Sequence, residues 1–263
     1  MNRRCIIILC LTIVSQLTTL GVYAQTQSYN QANNEIDFSH DLSQKWSLEF
    51  NVGQSWTTKP GHTSLFSSLA QLYTRAWVHY NPNDKWKLSF FYAFYYNKYV
   101  PEIDQREAPE WRSAAQAIYY IKRKRLILTT RWRIEDRHIK NVDSVFEAVD
   151  RLRGQIKVVY PLNGSVIAKG VFYGIGSEEL FFKTSSKVSG SGLFDRNRVS
   201  AGIGYGITNN CQLELSYSNE FLPRPGENQS YNAIQCNVVF TNLLPRIGHA
   251  LFGKKTPEGS SAN

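Results

Sequence analysis

The stretch "RWRIEDRHIK" (131–140) places Arg131, Arg133, Glu135 and Arg137 on alternate positions, with Trp132 and Ile134 between them. In an extended chain successive side chains point to opposite faces. One face therefore gathers three guanidinium groups and a carboxylate while the other is apolar. Such a stripe suits a ladder of ion pairs, the binding or selection of an anion, or the placement of catalytic groups. The same alternation supplies Glu110 and Arg112 in "EWRSAAQ", Arg151 and Arg153 in "DRLRGQ", Arg198 in "DRNRVS", and Glu214 and Glu220 in "LELSYSNEF". Reaction chemistry is harder to find. A lipid hydrolase needs Ser, His and a polar orienter converging on one spot, yet the histidines at 40, 62, 79, 138 and 249 stand in no such motif and G-x-S-x-G does not occur. His79 is expected to face the lumen beside a short turn. No two histidines are three or four apart, as a zinc site on one element prefers. "EIDQRE" (102–107) lacks the spacing and glycine of an EF-hand loop. "GVFYGIG" and "SAGIGYGI" do not open a helix as a phosphate cradle must. The reading assigns no catalytic residue, metal or cofactor, and favours a non-enzymatic protein.

The elements that would carry these stripes are strands. Trp46, Leu48, Phe50, Val52 and Trp56 share one face of 45–56, opposite Ser47, Glu49, Asn51, Gly53 and Ser55. In 85–97, Trp86, Leu88, Phe90, Tyr92, Phe94 and Tyr96 line one side. Further strands are expected at 35–42, 69–81, 111–122, 125–137, 149–160, 166–177, 197–208, 211–221 and 231–241. Short turns at 42–44, 81–84, 122–125, 161–164 and 208–210 alternate with longer polar loops near 57–68, 98–110, 138–148, 178–196 and 222–230. That rhythm, with strands long enough for a tilted crossing of about 9–11 residues and aromatics near their ends, predicts an antiparallel up-and-down transmembrane β-barrel of about twelve strands with short periplasmic turns and longer outer loops. Parity leaves strand 35–42 starting on the outer side, so 25–33 is expected to add a twelfth strand. A soluble barrel or sandwich would turn the apolar faces inward instead.

Arg3, Arg4 and the apolar run 5–14 ahead of Ala24 read as a signal peptide over 1–24. The barrel then occupies 25–242, and 243–263 forms a polar or amphipathic periplasmic tail. Cleavage leaves Cys211 and Cys236, whose positions on the last hairpin put them beyond disulfide reach. The formal charge is +9, and subtracting Arg3 and Arg4 leaves +7. For an exported chain this balance points to lipid phosphates or an internal ion network rather than nucleic acid.

In a barrel the charged stripe faces the lumen, because an Arg at the bilayer midplane costs about 2–4 kcal/mol. Trp46, Phe90, Trp132 and Ile134 then face lipid. A two-residue "KRKR" hairpin would set Arg112 opposite Glu135, Glu110 opposite Arg137 and Gln116 opposite Arg131. Pairing Arg137 with Val149 sets Arg151 opposite Glu135, Arg153 opposite Arg133 and Gln155 opposite Arg131. A turn at 208–210 sets Arg198 opposite Glu220. Arg133 is left unbalanced and calls for Glu49, Glu214 or Glu220 across the lumen, for water, or for an anion. Gly202, Gly204 and Gly206 suit a wall that makes room for arginines from the far side.

"EWRSAAQ", "RWRIEDR", "DRLRGQIKVVYPL" and "DRNRVSAGIGYGITNNCQLELSYSNEF" resemble an uncharacterised family of exported bacterial outer-membrane β-barrel proteins, known only as a domain of unknown function, over about 34–241. The resemblance implies an outer-membrane location, with no activity or catalytic residue to carry over. The expected function is an outer-membrane barrel with an Arg/Glu-lined lumen, a narrow channel or structural envelope protein. Its partners would be membrane lipids and a small anionic solute. The alternatives are an outer-membrane lipid-modifying hydrolase and a soluble periplasmic protein that binds an acidic partner. The sequence does not define an oligomeric state.

Overall fold

The computed structural model describes residues 26–58, 64–100, 105–141, 143–186, 190–224 and 227–242. The expected signal peptide and periplasmic tail lie outside these residues. Eleven strands close into one barrel: β1 (Thr26–Asp41), β2 (Trp46–Thr57), β3 (Ser68–Asn83), β4 (Trp86–Val100), β5 (Gln105–Arg123), β6 (Ile127–Lys140), β7 (Phe146–Pro161), β8 (Phe172–Lys183), β9 (Phe194–Thr208), β10 (Cys211–Leu222) and β11 (Asn228–Thr241). Sequential neighbours pair antiparallel and β1 closes against β11 in parallel. The all-β barrel architecture is as the alternation predicts. The count differs from twelve because residues 26–33 continue β1 rather than folding into a strand of their own. An odd number of up-and-down strands leaves the first and last running the same way, hence the parallel seam.

The seam is clasped on both faces. Inside, Tyr29 stacks on Tyr231 with ring centroids 4.8 Å apart, and both pack on Leu222. Outside, Phe38 stacks on Phe240 at 5.4 Å. Directly opposed aromatic pairs of this kind stabilise a sheet by roughly 0.2–1 kcal/mol each.

Connections 42–45, 84–85, 124–126, 162–171 and 209–210 lie at one rim, here the turn rim; those from β2, β4, β6, β8 and β10 lie at the other, the loop rim. The length rhythm is less regular than expected. β4 and β5 extend into the expected loop 98–110, and β8 begins at Phe172 rather than near 166. Its approach, 162–171, folds back over β9: Gly170 N donates to Gly206 O, and Gly206 N donates to Val171 O. A Cβ at Gly206 would lie 2.0 Å from the Ala168 carbonyl oxygen, so only glycine fits there. "LFF" (180–182), expected in a loop, belongs to β8, with Phe181 inside.

The apolar stripes face outward. Phe90, Trp132 and Ile134 are 55%, 47% and 56% exposed, and Trp46 is also exposed. Cys211 and Cys236 are free thiols; Cys236 lies opposite Leu215 and Cys211 opposite Phe240. Non-reducing and reducing gels of the folded protein should therefore show the same mobility, and Cys236→Ser should shift stability by less than about 0.5 kcal/mol in a urea titration.

Candidate functional site

Inward positions collect the charge. Among the described residues, nine guanidinium groups share five carboxylates toward the loop rim, in two groups: Arg112 and Arg137 on Glu110, and seven arginines linked through Glu135, Glu179, Asp195 and Glu220. Glu110 accepts from Arg112 Nη2 at 2.6 Å and Arg137 Nε at 2.7 Å. Glu135 accepts from Arg151 at 2.6 Å, Arg153 at 2.7 Å and Arg133 at 3.3 Å. Glu179 accepts from Arg153 at 2.7 Å and Arg131 at 2.5 Å, with Arg198 at 3.8 Å. Glu220 takes Arg196 at 2.9 Å and Arg198 at 2.6 Å. Asp195 takes Arg196 and Arg224, each at 2.9 Å. Glu110 and Glu135 are 0% exposed. A carboxylate so enclosed is tolerable only because several charge-assisted donors surround it.

Phe181 stands at the middle of this cluster. The guanidinium carbons of Arg153, Arg198, Arg151 and Arg196 lie 4.4, 5.0, 5.3 and 5.7 Å from its ring centroid. Its quadrupole offers these cations a counter-surface that no further carboxylate provides. Arg133 is treated likewise. Its Nε and Nη2 donate to Gln116 Oε1 at 2.9 and 2.6 Å, and it lies over Trp77 and Phe91. In place of a carboxylate from across the lumen (Glu49, Glu214 or Glu220), Arg133 is held by Glu135 of its own strand, an amide oxygen and two ring faces.

Every residue read as part of the charged stripe points inward, but the partners differ in places. On β6 and β7 the register is as expected: Arg151 opposite Glu135, Arg153 opposite Arg133, Gln155 opposite Arg131. Arg198 faces Glu220. On β5 and β6 it is two residues away: Arg112 faces Arg137, Gln116 faces Arg133 and Ala114 faces Glu135. The turn there has three residues and the pairing shifts at Ile121, so the KRKR hairpin is wider than a two-residue turn. A shift of two keeps side chains on the same face, whereas a shift of one would invert it. Glu214 stands apart from the network and accepts from Tyr173 Oη at 2.9 Å. Tyr173 also covers Gly204, where a Cβ would lie 2.1 Å from its ring; the glycine makes room for a neighbouring tyrosine, not for a distant arginine.

Several participants escaped sequence reasoning. Asp195 and Arg196 both point inward because the β8–β9 register shifts beside them, at Phe181/Phe182. A bulge puts consecutive residues on one face, which strict alternation forbids. Glu179 and Phe181 lay in the expected loop 178–196, which β8 in fact occupies up to Lys183. On the opposite wall, Glu35 pairs with Arg75 at 2.5 Å and with Tyr73, while Asn51 bridges Asp37, Glu49 and Trp77. His79 does face the lumen near the turn rim. Its Nδ1 is 2.8 Å from Ser89 Oγ and its Nε2 is 3.2 Å from Glu49 Oε2. This has the connectivity of a nucleophile, base and orienter, but Ser89 is 7% exposed and walled in between strands. The three residues come from three strands, so no local motif announced them.

Toward the turn rim the β7–β10 wall changes character. Lys157, Ser177, Ser200, Gly202, Gln212, Glu214 and Ser216 are small or polar and only half-buried. Among the described residues no group of three or more His, Cys, Asp or Glu could hold a metal, and no helix is long and apolar enough to cross a membrane.

The family model described as a protein of unknown function (DUF2490) matches residues 26–231. A solved structure titled "Bacterial polysaccharide outer membrane secretin" aligns with a TM-score of 0.48 at 11% identity, over 77% of this chain and 67% of that one. No curated protein matches.

Proposed function

We propose, on the premise that the chain belongs to the DUF2490 family of proteins of unknown function, that it is an outer-membrane β-barrel whose interior is braced by ion pairs toward the loop rim, a structural envelope protein or a strongly constricted channel. The observation that carries this reading is the inverted distribution of polarity: aromatic and aliphatic side chains such as Phe90 and Ile134 form the exterior while Glu110 and Glu135 are enclosed. A water-soluble barrel would bury the first set, and contiguous exposed apolar surface of this extent marks contact with lipid or another protein. The signal-peptide reading of 1–24 and the aromatic residues on the outer face, among them Trp46, Trp86 and Tyr160, support the same location. Two or three guanidiniums on each carboxylate leave few of these side chains free to yield, which favours a constricted interior over a wide aqueous pore.

The test is depth-dependent. Ile134→Arg places a cation on the exterior of β6 and should reduce the folding free energy in lipid bilayers by about 2–4 kcal/mol; His138→Arg, nearer the loop rim on the same face, should change it by no more than about 1 kcal/mol. Chemical-denaturant titrations of protein refolded into vesicles, with heat-modifiable gel mobility as the folding readout, measure both. Equal, negligible effects at the two sites would exclude a lipid-facing exterior.

A further inference from the structure

The ion pairs are unequal, nine guanidiniums to five carboxylates, and the most exposed of these arginines, Arg131 and Arg198, lie together. On the inner wall Arg131, Gln155, Glu179, Arg198 and Glu220 form one cross-strand row; the next inward row toward the turn rim is Thr129, Lys157, Ser177, Ser200 and Ser218. Arg131 and Arg198 retain 17% and 32% side-chain exposure, whereas Glu179 beneath them retains 2%. Lys157, in the second row beside Ser177, has no carboxylate partner among the described residues. Arg131 Nε is buried and makes no hydrogen bond. Ser177 and Ser200 lie directly opposite each other, and with Lys157 they align along the row. Three cations, two hydroxyls and the Gln155 amide thus face the half-open end of the lumen, with Glu179 withdrawn behind the arginines and Glu220, 14% exposed, held by Arg196 and Arg198.

We propose that this patch is a binding site for a tetrahedral oxyanion, inorganic phosphate or the terminal phosphate of a small solute, entering from the turn rim. Rigid guanidinium forks and hydroxyl donors match such an anion, and the low-dielectric wall of the closed half strengthens their attraction. Glu214, half-buried on β10 and engaged by Tyr173, sets a limit on the size of the ligand by repelling a second negative group. The inference deepens the barrel reading and rests on it, since the patch exists only if this face encloses a lumen.

The experiment is calorimetric titration of the full refolded barrel in non-ionic detergent with inorganic phosphate at low salt. Wild type should bind saturably. Lys157→Gln should weaken binding about tenfold, Ser200→Ala should weaken it about threefold, and Lys45→Gln, in the exposed β1–β2 turn, should leave it unchanged. Sulfate should compete, and glycerol phosphate binding as well as phosphate would identify a terminal phosphomonoester as an acceptable source. Absence of saturable binding by wild type, or equal weakening by Lys45→Gln, overturns the site. Should Lys157→Gln fail to fold, Ser200→Ala against Lys45→Gln decides alone. Heat-modifiable mobility on the same samples separates the two levels: a protein that shows it and ignores phosphate refutes this site while leaving the barrel reading intact.

Discussion

Replacing Glu135 with Gln should destabilise the folded barrel by about 3–5 kcal/mol, the range for breaking a buried ionic cluster on one side only. Glu135 is the shared acceptor of Arg133, Arg151 and Arg153, and it has no solvent exposure. Gln keeps the shape and one acceptor oxygen but removes the charge, so three neighbouring guanidiniums lose their common counter-ion at a site without solvent exposure. Arg153 retains Glu179 and Arg133 retains Gln116; Arg151 is left with Asp195 at 3.9 Å. The denaturant midpoint of the refolded protein measures the loss. A second substitution gives the mechanism: Arg151→Met in the Glu135→Gln background should recover part of the stability, because it deletes the cation most fully stranded. A cost below about 1 kcal/mol, or no recovery, would mean that water or another group compensates the cluster.

Phe181→Ala should cost about 3–5 kcal/mol, the usual price of truncating a buried aromatic side chain. The expected distinction from an ordinary core cavity lies in salt. Four arginines surround this ring, and removing it leaves their mutual repulsion less compensated. Phe181→Leu restores most of the volume without the quadrupole. It should remain less stable than wild type, and chloride or phosphate should narrow that gap by entering the relaxed cluster. Titrations of the three proteins at two salt concentrations check this. Identical stability of Phe181→Leu and wild type at low salt would reduce Phe181 to a space-filler.

How far the sequence revealed this arrangement depended on which physical rule governed each position. Period-two alternation defined the faces of β2, β4 and β6 because their central outward residues, such as Phe50, Phe90, Trp132 and Ile134, are apolar and a change of face would be costly. The β6–β7 register followed from matching Arg151 to Glu135, and the β9–β10 register from a tight turn beside Asn209. What local rules could not supply were the exceptions to alternation. The pairing shift at Ile121 moved the β5 partners by two positions, and the irregularity beside Asp195 brought an additional carboxylate indoors. β8 was displaced because "SVIAKGVFYGIG" alternates well enough to pass for a strand from 166, whereas contacts of that segment with the distant Gly206 hold its first half as a loop. The His79–Ser89–Glu49 grouping and the stacking of Arg133 on Trp77 depend on tertiary proximity across the sheet, which spacing along the chain does not encode.

The parallel seam carries a consequence for how the polypeptide could be rewired. Thr26 pairs beside Asn228 while Thr241 pairs beside Ser39, so the two ends of the described barrel are offset by thirteen steps of register, about 43 Å at 3.3 Å per residue. A circular permutant would need a bridge of roughly a dozen extended residues running the length of the wall, where an even-stranded barrel closes with a simple tight loop. New termini therefore belong in an existing hairpin connection only if that bridge is provided, and peptide tags placed before Thr26 and after Thr241 would emerge at opposite mouths of the cylinder.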